Sequence, residues 1–283
     1  MRRRMLPRLP VLFGALIVLL WVLCAVLAPW LAPFDPLHSL QPLVPPLSDA
    51  GAGRMFWLGT DMLGRDILSR LIFGARAVIV WAGFATATAY VIGIAGGLVA
   101  GFYRGHADRL LSFLANVVLS FPVLVLYILI ITKVGASGFN IVLAVTFASA
   151  PAIFRIVRAL ALDLRERDFV LAAISQGETP LRIMVLDMLP NAAGPLIVDA
   201  CLRLGYTTIT IGVLGFLGLG LPPPTPDWGG MVNEGRPLAF AFPHLILFPC
   251  IAISSLMLGL SLLADGLRDG EQRPLKSTGT NLP

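Results

Sequence analysis

A chain of 283 residues that is 57% hydrophobic and only 13% charged is not a soluble globular domain, which would be nearer a quarter charged. Its net charge of +5 would suit nucleic acid, but the arginines stand beside apolar runs rather than on one soluble face, so membrane sidedness accounts for them and no nucleic-acid partner is implied. Cys24, Cys201 and Cys250 fall in or beside those runs and offer neither a disulfide framework nor metal-ligand spacing.

Apolar runs of about 20 residues, enough to cross a bilayer, recur along the chain. The first, Val11 to Ala32, follows the positive stretch MRRRMLPR. It is too long for the apolar region of a signal peptide and lacks a small-residue cleavage site, so it reads as an uncleaved span with its N-terminus inside. From Pro33 to Arg76 periodicity is low, and prolines at 33, 36, 42, 45 and 46 keep the first half irregular. In the second half Asp66 is placed to cap a short helix whose residues Ile67, Leu68, Leu71 and Ile72 share one face, as in a helix lying on the membrane surface. Asp61 and Asp66 have no His or Cys nearby and read as capping and packing residues, so no metal is expected. The second span, Ala77 to Phe102, carries Gly93, Gly97 and Gly101 on one face, which lets a neighbouring helix approach closely.

No glycine-rich loop ends in Gly-Lys-Ser/Thr, and neither Lys133 nor Lys276 follows a glycine. The sequence calls for no cofactor, and any ATP hydrolysis must occur on another chain. Tyr103 to Arg109 reads as a net-positive turn. The third span, Phe113 to Lys133, should kink at Pro122, which lacks a backbone donor. Gly135 to Gly138 make a brief turn, and Phe139 to about Val157 form the fourth span.

Arg155 to Asn191 is the longest charged interval between apolar runs. A short apolar piece from Phe169 to Ile174 ends at Gly177, which can take the left-handed conformation that closes a helix. Thr179 and Pro180 suit an N-cap and first turn. A second short helix should then run to about Leu189, with Pro190 closing it. The fifth span, near Ala193 to Gly218, holds Asp199 and Arg203 four residues apart on one face. Pro243 to Ala264 is the sixth, and the tail 270–283 reads as disordered. Arginines cluster before the first span and after the second, fourth and sixth. That distribution predicts an all-α polytopic fold with six transmembrane helices and both termini cytoplasmic.

Four stretches resemble one family. The Arg155–Asn191 loop resembles the cytoplasmic loop of ABC-importer permeases, matching at Ala172, Ala173, Gly177, Leu189, Pro190 and Asn191. LGTDMLGRDILSRLIFGAR, before the second span, and Gly215-Phe-Leu-Gly-Leu-Gly, with its prolines and Asp227-Trp-Gly, resemble signatures of the dipeptide, oligopeptide and nickel subfamily. Asp265-Gly-Leu-Arg-Asp269 matches its closing motif. The chain departs from the pattern where Asn116, Leu171 and Ile211 stand in place of acidic residues.

The resemblance implies an anchor helix and periplasmic loop over 1–76, a five-helix core over 77–269, and an ATPase-coupling loop at 155–192. In that loop Phe169, Ala172, Ala173, Gly177, Glu178, Leu189 and Pro190 are the site residues; Asp199 and Arg203 are pathway candidates. It further implies an inner-membrane heterodimer with a sister permease in the lipid bilayer. Two cytoplasmic ATPase subunits and a periplasmic or lipoprotein solute-binding protein complete the assembly. The alternative is a secondary transporter not driven by ATP, which would carry internal repeats and intramembrane ion sites; neither is evident. A membrane-embedded enzyme is disfavoured because His38, His106 and His244 lie near span ends or in loops.

Overall fold

A computed structural model describes residues 8–51 and 53–271. Helix α1 (Arg8–Val26) is apolar on all sides, as suits a helix in lipid. After a bend at Leu27 the short α2 (Ala28–Leu31) follows. The proline-rich segment then adopts irregular structure with a small antiparallel hairpin, β1 (Ser48–Gly51) against β2 (Arg54–Phe56), in register Ser48 to Phe56. Periodicity did not show this hairpin.

Asp66 caps a helix as expected, its carboxylate accepting from the Ser69 amide at 2.7 Å. The helix is not short and does not lie apart on a surface. It is the start of α3, which runs unbroken from Ile67 to Tyr103 and takes in residue 76. The apolar face read as membrane-seeking is the packing face: Ile67 and Leu71 are buried with Trp228, Met231 and Leu245.

Gly93, Gly97 and Gly101 lie against α6 (Gly138–Leu164). A Cβ on Gly97 would stand 2.6 Å from the Val157 Cβ, and one on Gly101 2.4 Å from that of Ala161. Backbone-to-side-chain contact along this seam makes α3 and α6 the central pair of the bundle.

The net-positive turn shrinks to a single hinge. α3 ends at Tyr103, Arg104 takes a positive φ of 55°, and α4 begins at Gly105 and runs to Leu119. The third span is broken rather than kinked: α4 and α5 (Val123–Val134) meet at 86° around Pro122. Missing one donor alone gives a modest bend. Here the chain leaves the helix altogether at Ser120–Pro122.

After α7 (Asp168–Ser175) and α8 (Pro180–Arg182) the fold corrects a second reading. Pro190 does not end a helix. Residues Ile183–Met188 form a π-helical turn, in which the Leu189 amide reaches the Met184 carbonyl five residues back. The wider turn takes in the proline, and α9 continues from Leu189 to Phe216. Asn191 Nδ2 donates to the Asp187 carbonyl at 2.6 Å, satisfying an acceptor in the widened turn.

Helix α10 (Trp228–Gly235) and α11 (His244–Glu271) complete the bundle. α11 packs on α1 through small residues: a Cβ on Gly14 would lie 2.7 Å from the Gly259 carbonyl oxygen. Trp21 Nε1 donates to Ser255 Oγ at 2.9 Å. Among the described residues five helices are long and apolar enough to span a membrane, six if the bent α4–α5 pair is one span. Of the tail expected to be disordered, residues 270 and 271 still belong to α11, and the rest lies outside the described residues, as does the positive stretch 1–7.

The two ends of α3, about 54 Å apart at 1.5 Å per residue, are differently built. At the Ile67 end Arg65 and Arg70 bridge two carboxylates. Arg65 Nε meets Asp61 at 2.7 Å and its Nη2 meets Glu234 at 2.6 Å. Arg70 reaches the same two acids. At the Tyr103 end lies the charged loop.

Candidate functional site

The charged loop is held by a small apolar anchor. Val170 of α7 is fully buried, in one cluster with Ile183, Met184 and Met188 of the π turn and with Phe102, Val157 and Ala161 of the central pair. Ala173 packs against the same cluster. The opposite face of α7 is bare: Phe169 is 42% and Leu171 47% exposed, and Ala172 and Gln176 are exposed beside them. A helix of eight residues is far below the length that is stable alone in water, so its order comes from that anchor.

Gly177 closes α7. Its φ is +77°. The Glu178 amide bonds back to the Ala173 carbonyl at 3.2 Å and the Gly177 amide to the Ile174 carbonyl at 3.0 Å. That is a Schellman motif with glycine at C′. Nothing lies within 4 Å of where a Gly177 Cβ would be, so backbone conformation, not space, demands glycine there. Glu178 pairs with Arg182 at 2.7 Å, bracing the start of the next helix. Leu189 and Pro190 stand where the π turn gives way to α9. Leu189 packs on the anchor cluster. The loop residues singled out in sequence thus gather at one end of the bundle.

The arginines of this end are mostly engaged. Arg104 meets Glu166 at 2.8 Å, Arg167 meets Asp163 at 2.9 Å, and Arg158 pairs with Asp108 of α4. Arg165 lies 5.5 Å from the Phe102 ring centre. Arg155 donates to Asn116 Oδ1 at 2.7 Å. Asn116, one of the positions where an acidic residue was expected, therefore still serves an arginine, as a neutral acceptor. Leu171, another, belongs to the bare apolar face of α7. Ile211, the third, is fully buried, where a carboxylate would be costly unless paired.

Asp199 and Arg203 do not join the loop. Asp199 sits about 14 Å and Arg203 about 20 Å further along α9 from Pro190; they are paired at 2.6 Å and each about one-fifth exposed. A third group completes them: the Tyr90 hydroxyl of α3 donates to the same Asp199 oxygen, Oδ2, at 2.5 Å. Sequence reading missed Tyr90, and no local signal marks a partner 109 residues away. A charged residue within a span costs about 2.5–3.5 kcal/mol on insertion scales, so such groups face protein or water.

Residues 93–270 match the family described as binding-protein-dependent transport system inner membrane component. The chain belongs to that family. The permease is 39% identical over 266 residues to the di/tripeptide transport system permease protein DppC of Pseudomonas aeruginosa, covering 93% of this chain and 88% of that one. It is 37% identical to the dipeptide transport system permease protein DppC of Haemophilus influenzae, covering 94% of this chain and 90% of that one. Against the glutathione transport system permease protein GsiD of Pectobacterium atrosepticum it is 36% identical, with coverage of 97% and 90%. In fold it resembles a chain of the MetNI methionine ABC transporter solved in inward-facing conformations. The TM-score is 0.59 at 18% identity, covering 73% of this chain and 98% of that one.

This is therefore a multi-pass inner-membrane subunit of a binding-protein-dependent ABC importer. It is a transport subunit rather than an enzyme, and it works with a separate ATPase and a solute-binding protein. The secondary-transporter alternative is set aside by the family.

Proposed function

We propose that this permease pairs with a sister permease in the lipid bilayer and imports peptides, driven through the α7 helix by two ATPase subunits in the cytoplasm. Both termini and the Arg155–Asn191 loop then face the cytoplasm, and the hairpin segment between α2 and α3 faces the periplasm, where the solute-binding protein docks. The anchored but bare α7 carries this reading. Val170 locks the helix to the α3–α6 pair while Phe169, Leu171 and Ala172 are left for a partner. A push on α7 is then transmitted to the spans, because Ile183, Met184 and Met188 belong to the same packed cluster. The ATPases can shift the transporter between outward and inward states only by binding one state more tightly than the other. The peptide assignment comes from relatives named for di/tripeptides, dipeptides and glutathione. Asp199 and Arg203 are proposed to line the pathway.

Orientation is tested by cysteine labelling in intact cells. Asp49→Cys in β1 should react with an impermeant thiol reagent from outside, and Gln176→Cys should not. Labelling of Gln176→Cys alone would invert the topology.

A further inference from the structure

The peptide reading leaves open how the membrane part recognises its cargo. Arg203 is the informative residue. A guanidinium offers five donors in a planar fork, and Arg203 uses only Nε, on Asp199 Oδ2. Among the described residues its amino groups meet no second carboxylate, although the guanidinium also lies beside the Tyr90 hydroxyl, and Asp199 Oδ1 makes no hydrogen bond. The Tyr90 hydroxyl donates to the oxygen that Arg203 already holds. Two donors on one oxygen disperse the Asp199 charge, so the guanidinium keeps a pull on a second anion. The same two contacts fix the plane of the fork.

The helix face is right for access. Arg203 stands at the border between a buried stripe, with Thr207 bonded to Thr86 of α3, and an open one. On the open side are Pro195 and Tyr206, the latter 61% exposed. The Arg203 side chain, which carries the Nη1–Nη2 edge, is about one-fifth exposed at this border. Paired donors on that edge match the two oxygens of a carboxylate.

We propose that the Nη1–Nη2 edge of Arg203, oriented by Asp199 and Tyr90, takes the terminal carboxylate of the peptide during its passage. Arg203 is the contact residue; Asp199 and Tyr90 are positioning residues. When no peptide is present Asp199 holds the guanidinium in place. When one arrives, its carboxylate is received without either partner having to move. The inference rests on the peptide reading above.

The test uses the complete transporter in proteoliposomes, with its ATPases, sister permease and binding protein. Uptake is measured for labelled dialanine and for dialanine amide, which differ only at the carboxylate. The binding protein is the same throughout, so its own preference cancels when each variant is compared with wild type. Arg203→Gln should lower the acid-to-amide uptake ratio about tenfold, the loss of one charge-assisted bidentate contact. Arg203→Lys should fall between, keeping charge without the fork, and Tyr90→Phe should move the ratio the same way by less. A second measurement serves if uptake of the amide is small. With Cys24, Cys201 and Cys250 replaced by Ser, dialanine should slow thiol labelling of Tyr206→Cys in the purified complex, and Arg203→Gln should abolish that protection.

If both peptides fall by one factor in every variant, in step with complex yield, and protection persists, the pair serves assembly with the sister permease and the clamp is refuted. If wild type imports both peptides and the variants leave the ratio unchanged, the clamp falls and the peptide reading stands. If wild type imports neither peptide, the peptide reading falls and takes the clamp with it.

Discussion

The indole of Trp228 donates its N–H to the carbonyl of Leu71 at 2.9 Å, tying α10 to the start of α3 across 157 residues of sequence. The ring is fully buried and meets Trp21 of α1 edge-on at 4.8 Å between centroids. Gly74 makes the approach feasible, since a Cβ there would stand 2.7 Å from the indole. Trp228→Ala should cost about 3–5 kcal/mol, the usual range for removing a large core aromatic. The measurement is thermal unfolding of the purified complex in detergent. A midpoint unchanged from wild type would show that this contact does not hold the two elements.

Beside that contact, Arg70 is almost wholly buried between Asp61 and Glu234. Arg70→Met removes one cation and leaves Arg65 alone to neutralise two acids. A loss of about 3–5 kcal/mol is expected, because an uncompensated buried charge remains. The double change Arg70→Met, Glu234→Gln removes one charge of each sign, leaves Asp61 paired with Arg65, and should recover most of that loss. Equal destabilisation in the single and double variants would count against charge pairing as the cause.

Asp227 caps α10, accepting from the Gly230 amide at 3.1 Å. Burial pushes its carboxyl up to about 6, with the Glu234 charge adding to the rise, while the Gly230 and Gly229 amides and Arg70 oppose it. A carboxyl raised in the folded state binds its proton more tightly there than in the unfolded chain. It therefore favours folding below about pH 4, and that stability is lost as pH rises to about 6, by about 3 kcal/mol in total. Asp227→Asn keeps a good cap and deletes the titration. The variant should gain stability over wild type between pH 4.5 and 7.5. A difference between the two proteins that stays constant over that window would contradict the assignment.

Much of this was legible in the sequence because the controlling contacts are local or periodic. Gly177 reads as a helix end from its place after an apolar run. Gly93, Gly97 and Gly101 read as a seam from their spacing, and Asp66 as a cap from its position. The misreadings share a cause. Asp66 caps a helix, but nothing local tells that Ile67 and Leu71 face Trp228 rather than lipid, so the start of a span reads as a surface helix. Pro190 is a sound stop signal for an α-helix, and the π turn before it removes the conflict that makes it one. Tyr90, Glu234 and Val170 acquire their meaning only from partners brought close by the fold.

The α7 anchor makes separable predictions. Ala173→Arg puts a long charged side chain beside the packed cluster around Val170 and should reduce ATPase docking with the subunit still in the membrane. Gly177→Val forces a β-branched residue into the left-handed region, at about 1–2 kcal/mol. It should uncouple ATP hydrolysis from substrate, whereas Gly177→Asn, which tolerates that conformation, should not. Wild-type uptake and substrate-stimulated ATP hydrolysis in both Ala173→Arg and Gly177→Val would remove α7 from the mechanism.

The central claim is that the bare face of α7 receives the ATPase. With Cys24, Cys201 and Cys250 replaced by Ser, a photoactivatable probe is attached to Ala172→Cys and, in a separate protein, to Met62→Cys at the other end of α3. Cross-linked products are identified from the assembled transporter. The account predicts that the Ala172 probe captures the ATPase subunit and the Met62 probe does not. Capture of the ATPase from Met62, with none from Ala172, would contradict it.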